Sequence, residues 1–179
     1  RPINNVVDIS NYVMLETGQP LHFYDADKLR GMLEVRMAEK GEKLITLDKQ
    51  ERTLSSEDIV ISDGTRAIGL AGVMGGLDTE ITENTKNVIV ESANFLGSTI
   101  RRTSVRIGLS SESSAHFVKG IDPYQDEDVL ALAANLLVEL ADAKIIYKTN
   151  RYTTLDYSEI EISCSYSYIN KRLGYEFSV

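Results

Sequence analysis

The sequence predicts an α+β fold, mostly antiparallel β-sheets with about three flanking α-helices. Three observations lead there. Short apolar runs of strand length (LEVRMA, KLITLD, DIVISDG and NVIVESA) crowd between about residues 33 and 91, separated by Asp-Lys, Asp-Gly and Gly-Gly turns. A helical period occupies residues 6–17, and a longer one follows Asp122-Pro123.

The first helix rests on VVDISNYVMLET, which sets Val6, Ile9, Val13 and Met14 at helical spacing before Gly18, a residue suited to a left-handed stop. Pro20 pushes Gln19 out of the α region, so Gln19-Pro20-Leu21-His22 is non-helical and His22 falls on a loop or a strand start. Asp63-Gly64, between IVIS and RAIGLAG, reads as a tight hairpin, because glycine tolerates the positive φ that such turns demand. Residues 96–107 predict a second helix that ends at Gly108 and concentrates Arg101, Arg102 and Arg106. The Ser-rich run Ser110–Ser114 reads as a loop. A third helix is expected to begin at Asp122-Pro123, with Asp as N-cap, Pro in the first position, and Asp126, Glu127 and Asp128 against the positive end of the dipole. Val129, Leu130, Ala133, Leu136, Leu137 and Leu140 form its apolar stripe. Lys144 to Tyr152 predicts a returning strand. The expected organisation is one domain over 1–152, a linker over 153–159, and the truncated start of a following module over 160–179. Arg1 in place of an initiator Met is read as the start of a piece of a longer chain.

At 179 residues the chain can form one or two domains with a sizeable core, and 42% hydrophobic with 26% charged residues is a globular balance. Lys and Arg number 19 against 27 Asp and Glu, a net charge of −8. That balance argues against a protein that grips nucleic acid mainly through phosphates, and leaves local contact open. Cys164 is the single cysteine, so neither an intrachain disulfide nor a cysteine zinc site can form, which points to a reducing compartment. No apolar run approaches the roughly 20 residues of a membrane helix, and no signal peptide opens the chain. A cytoplasmic location with no membrane contact is expected.

Phosphate-loop, dinucleotide-fingerprint, His-Glu-x-x-His and Gly-x-Ser-x-Gly motifs are absent. With His22 and His116 the only histidines, a three-histidine metal site is impossible. Three segments stand out: Ser10 and Asn11 on the first helix with His22 beyond it; Ala71-Gly72-Val73-Met74-Gly75-Gly76, whose glycines permit close backbone approach; and Glu91, an acid ending the apolar run Asn87–Val90. Each also has a plain structural reading: a capping loop, a glycine turn, a solvated strand end.

Taken together, RPINNVVDISNYVMLETGQPLH, AGVMGG with VIVESANF, and RIGLSSESS with KGIDP resemble, in order and near-same wording, the editing domain of the bacterial phenylalanyl-tRNA synthetase β subunit. The resemblance covers roughly residues 1–152, its third and fourth modules. It implies a ligase whose α subunit performs ATP- and magnesium-dependent aminoacylation in an α2β2 heterotetramer. This fragment would hold no cofactor. It would receive the 3′ end of the phenylalanine tRNA and hydrolyse tyrosine wrongly esterified there. A pocket built for phenylalanine rejects an isostere with one added hydroxyl only by the order of 100-fold; a second pocket can reward that hydroxyl through a carboxylate, with a charge-assisted hydrogen bond of roughly 1.5–3 kcal/mol. By resemblance, Glu91 accepts the phenol and His22 stands beside it. Ser10 and Asn11 lie near the scissile ester, Gly72 and Gly75 leave room for substrate, and Ser113 lines the wall where Ala is common. No nucleophile or general base is assigned. An alternative implied role is a scaffold for tRNA and subunit contacts with degenerate editing.

Two departures from the family wording stand out. His116 and Val118 replace an Arg and a Glu, a paired loss that can be nearly neutral if the two form an ion pair. Phe23-Tyr24-Asp25 stands where Ala-Phe-Asp is commoner, which brings a bulkier ring next to His22.

Overall fold

A computed structural model of the chain describes residues 2–145, 149–156, 158 and 160–177. The chain divides into two units, Arg1–Tyr147 and Lys148–Val179.

In the first unit, α1 (Asn5–Thr17) starts where Asn4 Oδ1 accepts from Val7 N at 2.9 Å and stops at Gly18, whose φ of 77° is the expected left-handed cap. The chain then enters β1 (Leu21–Asp25), which pairs antiparallel with β8 (Val88–Ser92). Gln19 anchors this entry: its buried amide donates to the carbonyls of Pro20 at 3.1 Å and Ala93 at 2.8 Å, tying the start of β1 to the end of β8. Between them, β2 (Glu34–Met37), β5 (Ile59–Ser62), β6 (Ala67–Leu70) and β7 (Met74–Gly75) form a four-stranded antiparallel sheet in the order β2-β5-β6-β7. A hairpin of β3 (Lys43–Ile45) and β4 (Glu51–Thr53) joins it through the Thr46–Gly76 bridge.

The α+β, antiparallel reading holds, and among the described residues there are five α-helices rather than three. Of the expected helices, α1 and α2 (Gly97–Ile107, closed by Gly108 at φ 65°) sit where the sequence puts them. The Ser-rich run is not a loop. Ser111 caps α3 (Glu112–Lys119) in a reciprocal box with Ser114, whose N donates to Ser111 Oγ at 3.1 Å while Ser111 N donates back to Ser114 Oγ at 2.9 Å. The long helix, α4 (Asp126–Ala141), begins later than Asp122, because Asp122 Oδ1 spends its acceptor on Tyr124 N at 2.9 Å in a local turn. Its buried stripe is Val129, Ala133 and Leu137, whereas Leu140 is exposed. Of the strand expected over 144–152, residues 144, 145 and 149–152 are not in a strand, and 146–148 lie outside the described residues. The Asp63-Gly64 turn does join two paired strands, with Gly64 at φ 82°.

Three apolar clusters stack this unit in layers. Ile9 and Val13 of α1 meet Val129, Ala133 and Leu137 of α4 over Phe23, Val88 and Val90 on one face of the β1–β8 ribbon. The ribbon's other face sends Tyr24 against Ile61 and Ile68 of the four-stranded sheet and Ala71 just beyond β6. Beyond that sheet, Val60, Leu70 and Val73 pack with Ile100 of α2 and Phe117 of α3. The period of two along β1 produces this arrangement: Phe23 points to the helices, while His22 and Tyr24 point to the sheet. In the second unit, α5 (Tyr166–Leu173) is capped by Ser165 and ended by Gly174, and Cys164 is exposed. Among the described residues no helix is long and apolar enough to cross a membrane.

Candidate functional site

The ribbon register sets His22 directly opposite Glu91 and Tyr24 opposite Ile89. Side chains that oppose one another in an antiparallel pair share a face, and diagonal neighbours lie within reach of an aromatic side chain. Tyr24, 1% exposed, therefore reaches the diagonal Glu91 and donates its hydroxyl to Oε2. Its ring meets His22 edge-on, with centroids 4.4 Å apart and planes at 72°.

The glycines of the β6–β7 hairpin close this face. Gly69 and Gly75 are register partners. A methyl group at Gly75 would stand 2.6 Å from His22 Nε2, and one at Gly69 would stand 3.7 Å from the Tyr24 hydroxyl. Glycine is needed here for close approach, since any side chain at 75 would meet the imidazole. Gly72 answers a different requirement: its φ is +66°, and a Cβ would lie 3.0 Å from Ile100 and Phe117 and 3.1 Å from Phe95.

Burial governs the electrostatics. Loss of solvent pushes the Glu91 carboxyl up to about 6, against the opposing effect of the Tyr24 hydroxyl hydrogen bond. Burial likewise pulls His22 down to about 4, so the imidazole is neutral near pH 7, and its enclosed Nε2 has no hydrogen-bond partner among the described residues. Burial and then the adjacent Glu91 charge raise the Tyr24 phenol well above its ordinary value, which keeps it a donor. A half-buried acid next to a neutral imidazole and a fixed phenol is suited to accepting a hydroxyl or ammonium donor; a histidine held near 4 is a weak base at neutral pH.

The structure thus gathers Glu91, His22 and Gly75 on one face. Gly72 lies in the turn between β6 and β7, and the next residue, Val73, accepts from Ser111 Oγ of the α3 cap at 2.6 Å. Ser113 lies on α3 with its Oγ 3.9 Å from Met14 Sδ of α1. Ser10 donates to Val7 O at 2.8 Å within α1, and Asn11 lies on that helix's exposed side; among the described residues neither hydrogen-bonds to His22 or Glu91. Of the two departures, His116 reaches toward Gly18 at the end of α1, and Val118 is 40% exposed. Tyr24 is the residue that sequence reasoning missed as a site member. The signal was present in the alternation His22-Phe23-Tyr24, which puts Tyr24 and His22 on one face of any strand. Among the described residues no group of three or more His, Cys, Asp and Glu side chains gathers as a metal cluster.

A ribbon packed between two helices and a four-stranded sheet, with a glycine hairpin against a His–Glu pair, defines an α+β domain with a carboxylate, an imidazole and a phenol on one ribbon face. The chain belongs to the B3/4 domain family, which matches residues 1–142. It is 48% identical to the phenylalanine–tRNA ligase β subunit of Bacillus cereus and 45% identical to that of Streptococcus thermophilus, in each case over 99% of this chain and 22% of the relative. The chain therefore spans about a fifth of the length of the curated relatives it matches. The crystal structure of an N-terminal fragment of the phenylalanyl-tRNA synthetase β subunit from Pyrococcus horikoshii shares the fold, with a TM-score of 0.50 at 17% identity over 97% of this chain and 51% of that one.

Proposed function

We propose that this chain works as the editing domain of a phenylalanine–tRNA ligase β subunit and hydrolyses tyrosine esterified to the 3′ end of the phenylalanine tRNA. The observation that carries the reading is the Glu91 carboxylate, which already accepts a phenol hydroxyl, that of Tyr24, inside a glycine-walled face shared with His22. An acid that binds one phenol in this setting has the chemistry to bind a second. Phenylalanine would leave that acceptor unpaired, so the pocket selects the added hydroxyl.

Bond changes are simple. A water oxygen attacks the ester carbonyl, the bond from that carbon to the ribose oxygen breaks, and the water proton passes to the departing ribose oxygen, giving free tyrosine and an uncharged tRNA end. Positioning and oxyanion stabilisation supply the acceleration. His22, neutral near pH 7 and a weak base there, packs beside the bound ring or ester rather than drawing a proton. In this reading ATP and magnesium serve the aminoacylation centre of the α subunit, and the tRNA phosphates are gripped elsewhere, as a chain of net charge −8 requires.

The test is deacylation of tyrosyl-charged phenylalanine tRNA by the reconstituted αβ enzyme, wild type against Glu91→Ala and His22→Ala. Loss of tyrosyl-ester hydrolysis supports the reading. Unchanged hydrolysis in both variants removes the site assignment. A second reading, a tRNA- and subunit-binding scaffold with decayed editing, draws on the same hydrogen bond, because Tyr24 already occupies one oxygen of Glu91. Titration separates them: tyrosine but not phenylalanine binding favours the live pocket, and binding of neither favours the scaffold.

A further inference from the structure

We propose that Tyr24 is a positioning residue for phenol recognition: its hydroxyl holds one oxygen of Glu91 so that the other faces the incoming tyrosyl ring. The inference rests on the editing reading above and deepens it.

Four observations converge. Tyr24 is 1% exposed and wedged among Ile61, Ile68 and Ala71, so its phenol cannot swing aside without opening an apolar cluster. Gly69 flanks the hydroxyl closely, a Cβ there coming into van der Waals contact with it at 3.7 Å. The hydroxyl engages Oε2 of Glu91 alone. Among the described residues Oε1 takes no hydrogen bond, and Glu91 as a residue is only partly buried. A carboxylate has acceptor lone pairs on both oxygens, so a donor fixed on one aims the other without consuming it.

The same bond has an electrostatic effect. Burial favours the protonated acid, which is a poorer acceptor, and the Tyr24 hydrogen bond favours the ionised one. The titratable groups facing Glu91 are His22 and Tyr24 of β1. The strands β6 and β7 present Gly69 and Gly75, and α4 packs on the opposite face over Val88 and Val90. Tyr24 is thus the group on this face that keeps Glu91 charged.

A competing geometry, in which Tyr24 caps Glu91 and excludes substrate, predicts the opposite sign. The experiment uses the full β subunit assembled with its α subunit and measures kcat/KM for tyrosyl and phenylalanyl esters of the tRNA from pH 5.5 to 8.5. With Tyr24→Phe, tyrosyl-ester kcat/KM is expected to fall about tenfold at pH 7 through KM, the loss of a charged acceptor's hydrogen bond. The preference for the tyrosyl over the phenylalanyl ester is expected to fall by the same factor, since the phenylalanyl substrate does not use Glu91. The alkaline rise of the tyrosyl rate should move to higher pH. Should Tyr24→Phe fail to fold, 3-fluorotyrosine at position 24, a stronger donor of nearly equal size, decides the matter by moving the rise to lower pH. An unchanged or raised tyrosyl kcat/KM in Tyr24→Phe, or no movement with 3-fluorotyrosine, overturns the inference while Glu91→Ala still abolishes selectivity. Selectivity unchanged in Glu91→Ala instead overturns the editing reading, and this inference with it.

Discussion

Replacing Glu91 with Gln is expected to stabilise the chain above pH 6 by about 2 kcal/mol. The native state holds the Glu91 proton more tightly than the unfolded chain does, since burial lifts the carboxyl from 4.5 to about 6. A raised carboxyl contributes stability that is present below the unfolded value and is lost as pH climbs through the folded one. The 1.5-unit difference, at about 1.4 kcal/mol per unit, gives about 2 kcal/mol of destabilisation at pH 8 relative to a neutral isostere. Gln keeps the shape and an oxygen for the Tyr24 hydroxyl, so the hydrogen bond survives the exchange. His22 titrates over an overlapping range in the opposite sense, because burial lowers it from 6.5 to about 4, so that its contribution weakens as the solution is acidified. Both proteins carry His22, and the difference between them isolates Glu91. Urea unfolding followed by circular dichroism and tyrosine fluorescence, at pH 8 and pH 4, is the assay. A stability gain that vanishes at pH 4 supports the buried acid, while a gain of equal size at both pH values, or none, would refute it. In the proposed reading Glu91 is costly to ionise and useful when ionised, a combination that marks functional carboxylates.

Further outcomes follow from neighbouring residues. Gly75→Ala places a methyl 2.6 Å from His22 Nε2, on a rigid ring already packed against Tyr24; a loss of roughly 1–3 kcal/mol in denaturant unfolding is expected, together with loss of tyrosyl-ester hydrolysis, and an unaltered protein would show that the imidazole is free to move. Asp58, 1% exposed, accepts from Thr103 Oγ1 at 2.8 Å and Ser55 N at 2.8 Å and pairs with Arg106; Asp58→Ala leaves these donors unmatched and should lower stability by about 3 kcal/mol in the same unfolding measurement. Burial raises the Asp63 carboxyl, but donation from Thr65 Oγ1, Thr65 N, Arg30 N and Arg66 N outweighs it and holds the group at about 2, below its usual 3.8. Its contribution is therefore complete above about pH 4 and is lost as pH falls toward 2, so that Asp63→Asn should flatten the stability profile in that window when unfolding is followed from pH 5 to pH 2.

Features set by neighbours in the chain were legible in advance. Gly18 and Gly108 end helices because no other residue adopts a positive φ as readily, and Pro20 forbids helix at Gln19; each of these is a fact about one or two peptide units. The strand runs were legible because apolar alternation and turn residues act locally. Two of the misread signals have a short-range cause. Ser114 belongs to a cap rather than a loop, since its hydroxyl and amide exchange hydrogen bonds with Ser111, three residues away. Asp122 closes a turn of its own and leaves the helix to begin at Asp126.

For the candidate site, residue types and motif wording picked out Glu91, His22 and the glycines one by one. That His22, Tyr24 and Glu91 share a face depends on the register between two strands whose key residues, Tyr24 and Glu91, are 67 positions apart. Register over that distance is decided by which apolar residues reach the helices, here Phe23, Val88 and Val90, and a slip of one residue would turn every side chain over. The protonation of the site has the same origin: an acid raised to about 6 and an imidazole lowered to about 4 come from the surrounding layers excluding water, a property of no single segment. The sequence alone determined where helices stop, where the chain turns and which residues carry reactive groups, because those follow from short-range sterics and side-chain chemistry. Packing of the ribbon between sheet and helices decided which groups meet and in what charge state, because burial and pairing are sums over the whole fold.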